Sequence, residues 1–439
     1  MSRYQPPAEA LTEFIEGQQD LTALTVAYSG GLDSHVLLHL VADLAKLRPD
    51  IVIRALHINH RLQPVSDDWA QHAENVANSL EVPITVVPVE ISSSHADGPE
   101  AAARLSRYAA FSEHLIPGEH ILLAQHANDQ AETFLLQALR GSGPDGLASI
   151  PKKRSFSVGF MSRPLLNCTR EQLQEYAEAN GLEPIHDPSN DDTRFDRNFL
   201  RHEILPKLEQ RWPAATRTLS RSANRCSAAS QTLLGLAQED LSQVRLRGVS
   251  ELSVSEIKAL PRERAYNVLR LWVRQSGLRM PRLQDLAEVY RQLVFARSDS
   301  QGIVNVRDYE FRRHKDRLYL LLPQKEPTAF HYDWEAPFAP LFIAEIDQTL
   351  TREDCERQGI RMPDHGVITV RTRVGSELIK LGEPAFHKAV KKLLQEAAVP
   401  PWLRDVTPLL YIDGRLAAVW EIAVAVDFRQ GAIAPTEPV

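Results

Sequence analysis

The feature that most constrains the fold is a strand, a glycine turn and an amphipathic helix in immediate succession, over residues 22–47 (TALTVAYSGGLDSHVLLHLVADLAKL). Residues 24–28 favour extended structure. Gly30 and Gly31 permit a tight turn in which backbone N–H groups come close together without obstruction from a Cβ atom. Apolar residues over 37–47 recur at helical spacing, so the turn leads directly into a helix N-terminus. Because such a terminus attracts anions, the turn is predicted to be a phosphate site.

The turn is not a Walker-type phosphate loop, since no lysine follows its glycines as GxxxxGK(S/T) requires. Taken alone, Asp33 or Ser34 could simply cap the helix. The motif SGGxDS after a hydrophobic strand resembles the PP-loop of the ATP pyrophosphatases, which cleave ATP between its α- and β-phosphates. The resemblance implies that the loop binds ATP and holds the departing pyrophosphate, with Asp33 as a ligand of Mg²⁺. The loop residues are Ser29, Gly30, Gly31, Leu32, Asp33 and Ser34.

Charge is distributed unevenly along the 439 residues. The formal net charge of -7 argues against a general polyanion binder. Two segments are nevertheless basic: residues 194–225 contain eight Lys or Arg against three acids, and residues 371–404 contain seven against three. Charge runs usually mark solvated helix faces. Two basic segments on an acidic chain are also consistent with binding of a large, folded polyanion.

The N-terminal residues lack the basic and apolar pattern of a signal peptide, and no apolar run approaches the length of a membrane span. We therefore expect a cytoplasmic protein that binds no membrane. Cys168, Cys226 and Cys355 are far apart and form no CxxC pair. This spacing predicts reduced thiols rather than a zinc site, an iron–sulfur cluster or a redox disulfide.

Strand and helix patterns alternate through the first half of the chain, with further strands predicted at 51–58, 84–89 and 121–125. This alternation predicts an α/β fold with a doubly wound parallel sheet, whose ligands bind at the carboxyl ends of the strands. The remaining sequence has helical periodicity followed by short strand-like segments. It predicts two smaller α+β domains.

His126, Asp129 and Glu132 follow the fourth predicted strand at three-residue spacing, which places both carboxylates on one face of a helix near its first turn. In the simplest interpretation the two acids only favour the positive end of the helix. As chemistry, two carboxylates and an imidazole can hold Mg²⁺ or move a proton. The spacing alone leaves both interpretations open.

Smaller clusters lie elsewhere in the first half of the chain. His57 and Asn59 follow the second strand in HINHRL, beside the glycine loop of a doubly wound sheet. Arg104 belongs to AARLSRY on a predicted helix, and Arg197 and Arg201 are crowded on a later basic helix. Guanidinium groups at these places could bind phosphate groups. Each cluster could also be a solvated or hydrogen-bonded surface.

Several segments are similar to those of the tRNA(Ile)-lysidine synthetases, a branch of the PP-loop enzymes. They are HINHRL, ARLSRY, AQHANDQAETFLLQALRGSGPDGL, the block from DPSN to RNFLRHEILP, and GSELI with HKAVKKL and PPWLR. Two positions depart from the family pattern, since Gln63 stands where the family has an arginine and Asn128 where an aspartate is frequent. Residues 213–364 contribute little to the resemblance.

The resemblance implies ATP-dependent ligation of L-lysine to the wobble cytidine of the CAU anticodon of tRNA(Ile), through an adenylated cytidine and with release of pyrophosphate and AMP. It implies catalytic roles for Asp33, Arg104, His126, Asp129, Glu132 and Arg197. It implies that His57 and Asn59 bind ATP together with the loop. Together with the two basic segments, it predicts contacts to tRNA from Arg201, Arg371, Arg373, Lys388, Lys391, Lys392 and Arg404.

The predicted domains are a PP-loop ATP-binding catalytic domain over 1–212, a helical connector and small α+β domain over 213–325, a linker over 326–364, and a tRNA-binding domain over 365–439. The oligomeric state, including a homodimer, stays open at this point. The alternative function is that of another PP-loop enzyme, a tRNA thiolase or an amidotransferase-type synthetase. Thiolases of that kind need paired cysteines and glutamine-using enzymes need a glutaminase domain, and this sequence has neither. A nucleotide-binding regulator without chemistry is the remaining alternative.

Overall fold

The computed structural model describes residues 6–61, 65–89, 99–246, 251–296, 302–322, 328–382 and 386–431. Gln63, one of the departures from the family pattern, lies outside these ranges. The chain forms two compact units, residues 1–233 and 234–439. No helix in the described ranges is long and apolar enough to cross a membrane.

The first unit alternates strands with helices, as the sequence predicts. Its elements are α1 (Pro7–Glu16), β1 (Ala23–Ala27), α2 (Leu32–Leu47), β2 (Val52–Asn59), α3 (Ser66–Ser79), β3 (Ile84–Pro88), α4 (Pro99–His114), β4 (His120–Leu122), α5 (Ala127–Leu139), α6 (Pro144–Leu147), β5 (Lys153–Phe156), β6 (Gly159–Ser162), α7 (Arg170–Ala179), a 3-10 turn (Pro188–Asp191), α8 (Asp196–Phe199), a π-helical turn (Leu200–Ile204), α9 (Leu205–Arg211) and the start of α10 (Ala215–Val244).

The described strands of this unit form one sheet in the order β3-β2-β1-β4-β6-β5. Pairing is parallel from β3 to β6, and β5 is an antiparallel edge strand hydrogen-bonded to β6. Apolar residues of α1, α2, α3 and α7 pack in one cluster, and those of α4 pack in another with Leu56, Ile121 and Met161 of the sheet. The predicted doubly wound sheet is confirmed, with a hairpin added at its edge.

The topology creates a switch point beside β1. This strand pairs with β2 on one side and with β4 on the other, so the chain moves outward to β3 and then returns across β1 to continue at β4. The loops after β1 and β4 therefore diverge over opposite halves of the sheet and leave a crevice between them. The glycine turn follows β1, and His126 follows β4.

The second unit is built from small sheets and short helices. Its elements are β7 (Leu252–Ser253), α11 (Val254–Ala259), α12 (Arg262–Gln275), α13 (Leu283–Val289), a π-helical turn (Tyr290–Val294), β8 (Ile303–Val306), β9 (Tyr309–His314), β10 (Arg317–Leu321), β11 (His331–Glu335), β12 (Leu341–Ile343), β13 (Gln348–Leu350), α14 (Arg352–Arg357), β14 (Val367–Arg371), β15 (Leu378–Gly382), β16 (Phe386–Ala389), α15 (Val390–Glu396), α16 (Pro401–Arg404), β17 (Leu409–Ile412), β18 (Arg415–Val419), β19 (Ala423–Val424) and a 3-10 turn (Val426–Phe428).

The main sheets of this unit have the orders β7-β10-β9-β8 and β11-β14-β17-β18-β19. Here the structure differs from the predicted linker over 326–364. Strand β11 pairs with β14 along its whole length, and Trp334 and Phe338 are buried in the core of that sheet. The aromatic residues that suggested an irregular linker are core residues, because alternate side chains of β11 face the sheet interior.

The basic segment near the C-terminus is divided between two elements. Lys388 lies on strand β16, whereas Lys391 and Lys392 lie on α15, so the three lysines do not share one helix. Lys388 is paired with Ile379 in the hairpin of β15 and β16.

Candidate nucleotide and catalytic site

The glycine turn is shaped by one residue in the left-handed region and by two serines. Gly30 has φ 86°, which residues with a side chain rarely adopt. The Ser34 hydroxyl donates to the Gly31 carbonyl at 3.0 Å and accepts from the Ser29 amide at 3.2 Å. These bonds fold residues 29–34 over the start of α2. The first N–H groups of a helix have no partner within it, so the turn presents donors to an anion.

His126 caps the other helix at the switch point, α5. Its Nδ1 accepts the Asn128 amide at 3.2 Å, and the Asp129 carboxylate accepts the His126 amide at 3.0 Å. Since Nδ1 is an acceptor, Nε2 carries the hydrogen. That atom lies 3.5 Å from an oxygen of Asp33 and 3.6 Å from one of Asp129. The loop after β1 and the helix after β4 therefore meet at this imidazole.

The protonation of His126 follows from these neighbours. Burial by itself disfavours the charged imidazolium, but the carboxylates of Asp129 and Asp33 outweigh it and raise the pKa of His126. The same contact, together with Arg197 and Arg201, lowers the pKa of Asp129 despite its burial. The carboxylates therefore extend the pH range over which His126 can be protonated, although in the geometry seen here Nδ1 accepts a hydrogen bond and only Nε2 carries a hydrogen.

Glu132 is fully buried one helical turn beyond Asp129 and lies between two arginines of the basic helical segment. Arg201 Nε is 2.7 Å from one carboxylate oxygen of Glu132, and Arg197 Nε is 3.1 Å from the other. Arg201 also reaches Asp129 at 3.1 Å. Burial and the charge of Asp129 raise the pKa of Glu132 against the opposing effect of the arginines. The network fastens residues 196–204 onto α5.

Six predicted site residues lie in this one cluster: Asp33, His126, Asp129, Glu132, Arg197 and Arg201. Arg201, which the resemblance places on tRNA, is here the main partner of the α5 carboxylates. Arg104 lies outside the cluster, with its guanidinium carbon 5.0 Å from the centre of the Tyr108 ring.

His57 and Asn59 are buried at the end of β2 and have partners within the protein. His57 Nδ1 is 3.0 Å from the carbonyl oxygen of Tyr28, and the Asn59 amide donates to Asp67 at 2.8 Å. Burial lowers the pKa of His57. In this structure the two side chains support the strand ends beneath the glycine turn.

The predicted tRNA residues of the second unit are mostly engaged with neighbouring groups. Arg371 donates to the Tyr411 hydroxyl at 2.7 Å and Arg373 to Asp405 at 2.9 Å. Lys388 is paired with Glu396, and Arg404 donates to the Val399 carbonyl at 2.8 Å. Lys391 and Lys392 are exposed on α15.

One residue of the site was missed by the sequence reasoning. Ile185 packs against Gly30, and its amide donates to the Gly30 carbonyl at 2.9 Å. A Cβ on Gly30 would approach Ile185 Cδ1 at 2.9 Å. The sequence gives no signal for this contact, because residue 185 lies in an irregular segment 155 positions later in the chain.

A glycine loop at the switch point of a parallel sheet, facing a histidine and carboxylates, defines a nucleotide-binding domain of the PP-loop class. Residues 4–208 match the family described as the PP-loop domain. Residues 252–319 match the TilS substrate binding domain, and residues 368–435 match the TilS substrate C-terminal domain.

The chain is 39% identical over 417 residues to the tRNA(Ile)-lysidine synthase of Coxiella burnetii, which covers 94% of this chain and 91% of that protein. It is 38% identical to the tRNA(Ile)-lysidine synthase of Methylococcus capsulatus, over 93% of this chain and 94% of that protein. The chain belongs to the tRNA(Ile)-lysidine synthase family. Among solved structures, a U34-tRNA thiolase of Methanococcus maripaludis is 15% identical with a TM-score of 0.41, over 50% of this chain and 76% of that one.

Proposed function

We propose that this protein is an ATP-dependent ligase that joins L-lysine to the wobble cytidine of the CAU anticodon of tRNA(Ile). The observation that carries the proposal is the meeting of Asp33, from the PP-loop, with His126 and Asp129 at the switch point. The Asp33 carboxylate of the phosphate-binding turn thus lies 3.5 Å from the imidazole Nε2 of His126, a group that can carry a proton. Membership of the tRNA(Ile)-lysidine synthase family supports the choice of substrates.

The reaction has two steps. The carbonyl oxygen of the cytosine attacks the α-phosphorus of ATP, and the bond to the β-phosphate oxygen breaks, so pyrophosphate leaves. The amine of lysine then forms a bond to the activated ring carbon, and AMP leaves with its oxygen. The turn formed by residues 29–34 holds the pyrophosphate through backbone N–H groups.

His126 and the arginines stabilise negative charge in both steps. His126 Nε2 carries a hydrogen and has no hydrogen-bond partner among the described residues, so a phosphate oxygen is a suitable acceptor for it. Arg197 is about one third exposed, and its guanidinium can turn from Glu132 to a substrate anion. We assign acceptance of the lysine ammonium proton to Asp129, because its side chain is 14% exposed whereas that of Glu132 is 0% exposed.

Mg²⁺ fits the residues at the turn. Asp33 Oδ1 has no hydrogen-bond partner among the described residues, and the side chain is 36% exposed. The described part of the chain has no group of three His, Cys, Asp or Glu side chains that could hold a metal by itself. A single carboxylate oxygen with substrate phosphates is the arrangement that Mg²⁺ commonly takes in ATP-using enzymes. When bound, the ion would neutralise phosphate charge.

The test is incubation of the protein with ATP, L-lysine and unmodified tRNA(Ile) transcript bearing a CAU anticodon. We expect release of pyrophosphate that depends on the tRNA, and transfer of radiolabelled lysine to it. Omission of lysine should leave an adenylated tRNA and no lysine product. Pyrophosphate release without lysine transfer, or transfer of sulfur from an added donor, would favour a different PP-loop enzyme, and absence of both products would favour a nucleotide-binding regulator.

Asp33→Ala is the sharpest variant for this assay. We expect it to abolish pyrophosphate release while unfolding free energy falls by only about 0.3–1 kcal/mol, the value of a carboxylate in the first turn of a helix. Gly31, rather than Asp33, occupies the N-cap of α2, so no capping bond is lost. Urea denaturation measures the stability. Normal turnover by the variant would show that Asp33 has no part in the chemistry.

A further inference from the structure

Three arginines outside the cluster just described meet at the same edge of the sheet. Arg163 directly follows β6, and Arg154 lies on β5 opposite Met161. Arg104 lies in the first half of α4, the helix that follows β3. The carboxyl ends of parallel strands share one edge, so all three belong to the edge at which ligands bind in such folds.

The contacts among these side chains define a compact group. Arg104 and Arg154 lie over the ring of Tyr108, with guanidinium carbons 5.0 and 5.4 Å from its centre. Arg154 and Arg163 both donate to the sulfur of Met161, at 3.4 and 3.2 Å. Tyr108 and Met161 thus hold three guanidinium groups together. We call Arg104, Tyr108, Arg154 and Arg163 the arginine platform.

The arginine platform carries charge that the described residues do not neutralise. Within those residues, the guanidiniums contact only uncharged groups: the Tyr108 and Phe156 rings, the Met161 sulfur, the Gln125 side chain and the Pro151 carbonyl. Arg163 is only 4% exposed. Burial, Arg154 and Arg104 lower its pKa to about 10, so it is still charged at neutral pH. Buried cations are normally paired, and among the described residues this group has no carboxylate partner.

The position of the arginine platform relates it to the reaction. Arg163 donates from Nε to the side chain of Gln125, the residue immediately before His126. A lysine-rich or arginine-rich edge strand by itself serves to prevent sheets from pairing, which is the simplest explanation of a basic β5. That explanation does not require a buried Arg163 or guanidiniums stacked on an aromatic ring.

We propose that the arginine platform binds a phosphodiester of the anticodon loop beside the reacting cytidine and thereby positions the RNA strand at His126. The inference rests on the proposed function. A planar guanidinium fork matches phosphate oxygens, and an aromatic ring among guanidiniums suits the stacking of an unpaired base. Arg104, for which the resemblance implies a catalytic role, is assigned here to the RNA.

The test measures binding rather than turnover. Fluorescence anisotropy of a labelled anticodon stem–loop of tRNA(Ile) is followed between 50 and 200 mM KCl for the full-length protein and its variants. We expect Arg154→Gln to weaken stem–loop binding about tenfold at the lowest salt and to reduce the log–log salt slope by about 0.7, the value for one single-strand phosphate contact. Arg154→Lys should keep the slope and lose part of the affinity, since it keeps charge without the fork.

Arg48→Gln is the matched control, because Arg48 lies just after α2 at the opposite edge of the sheet and pairs with Asp50. Stem–loop binding by Arg154→Gln equal to that of Arg48→Gln would overturn the proposal. A loss of ATP affinity in calorimetry, or a rise in the KM for lysine, with stem–loop binding unchanged, would assign the arginine platform to ATP or to the lysine carboxylate instead. Failure of the wild-type protein to transfer lysine would refute the proposed function and would leave the binding result intact.

Discussion

At the scale of single residues, two carboxylates of the same site have opposite surroundings. Asp33 is partly exposed, and one of its oxygens has no hydrogen-bond partner among the described residues. Glu132 is fully buried, and its oxygens are taken up by Arg197 and Arg201. The unpaired oxygen of Asp33 can coordinate Mg²⁺ bound to the substrate phosphates. The carboxylate of Glu132 is already paired with two arginines and can instead hold them in position. We therefore infer that Glu132 acts through the arginines.

Glu132→Gln should destabilise the fold as well as slow the reaction. The amide keeps the volume but removes the carboxylate partner of Arg197 and leaves Arg201 with Asp129 alone, which costs on the order of 3 kcal/mol for a buried group. We also expect lysine attachment to slow far more than ATP binding weakens. Urea denaturation, calorimetry with ATP and single-turnover lysine transfer measure the three effects.

The matched control is Glu203→Gln, since Glu203 is exposed and pairs with Lys207 one turn away. Its effect on unfolding free energy should be below about 0.5 kcal/mol. Equal losses of ATP binding and lysine attachment in Glu132→Gln would show that Glu132 has a purely structural role.

His126 should titrate above the ordinary value of 6.5 for histidine, because the nearby carboxylates favour its charged form. Asp129→Asn should lower this pKa. A raised pKa in the folded state means that the charged imidazole stabilises the fold below pH 6.5, and that this contribution disappears as the pH rises through the folded value. The stability difference between wild type and His126→Gln should therefore shrink with rising pH. NMR titration of the imidazole and urea denaturation at several pH values test both statements, and a midpoint below 6.5 would contradict them.

At the scale of elements, the turn between β1 and α2 depends on a segment from much later in the chain. Within residues 29–34 the Ser34 hydroxyl donates a hydrogen bond to the Gly31 carbonyl. Ile185 packs against the same turn at Gly30, and its amide donates to the Gly30 carbonyl. The loop after α7 therefore supports the phosphate site from outside. A change at Gly30 strains both the local backbone and this packing.

Gly30→Ala should weaken ATP binding and lower the unfolding free energy by about 1–3 kcal/mol, because alanine meets an unfavourable φ of 86° and Ile185 Cδ1 at 2.9 Å. The double variant Gly30→Ala, Ile185→Ala removes the contact but not the backbone strain, so it should remain impaired in ATP binding. Gly235→Ala is the control, since Gly235 lies inside α10 with open space around it. There alanine should stabilise the helix by about 0.5–1 kcal/mol. Normal ATP affinity in Gly30→Ala would show that the turn tolerates a side chain.

At the scale of the whole molecule, the two units have different tasks in the proposed function. The first contains the PP-loop and the carboxylates, and the second matches the families described as TilS substrate domains. Among the predicted tRNA-binding residues of the second unit, some are paired with other side chains and some are exposed. Arg371, Arg373 and Lys388 are held by neighbouring side chains, whereas Lys391 and Lys392 are exposed on one turn of α15.

Neutralising Lys391 and Lys392 to glutamine should reduce the log–log salt slope of binding to full-length tRNA by about 1.5–2, equally for matching and non-matching tRNAs, because phosphate contacts carry no sequence information. ATP binding should not change. Arg371→Gln serves as the contrast, because it should lower stability through the lost stacking on Tyr411. Filter binding at several salt concentrations gives the slope. An unchanged slope in the double variant would mean that the tRNA is held elsewhere.

The parallel sheet, the glycine turn at its first strand and the helix that starts near His126 could be predicted from the sequence. Each depends on local spacing and on residue types with strong conformational preferences. The capping box of Thr169 and Gln172 at the start of α7 is likewise local, since its two residues are three positions apart. Asp33, His126, Asp129 and Glu132 lie together, since the switch point of such a sheet brings the loops after β1 and β4 to one place.

The pairing of charges depends on contacts between distant parts of the chain and could be read only from the tertiary structure. Arg201 binds the α5 carboxylates, Arg371 stacks on Tyr411, and strand β11 joins a sheet where a linker was predicted. The partners in each case are separated by dozens of positions along the chain, and neither periodicity nor composition carries information about them. Long-range packing selects these contacts, because burial of an arginine or an aromatic residue is favourable only where the whole fold supplies a matching surface.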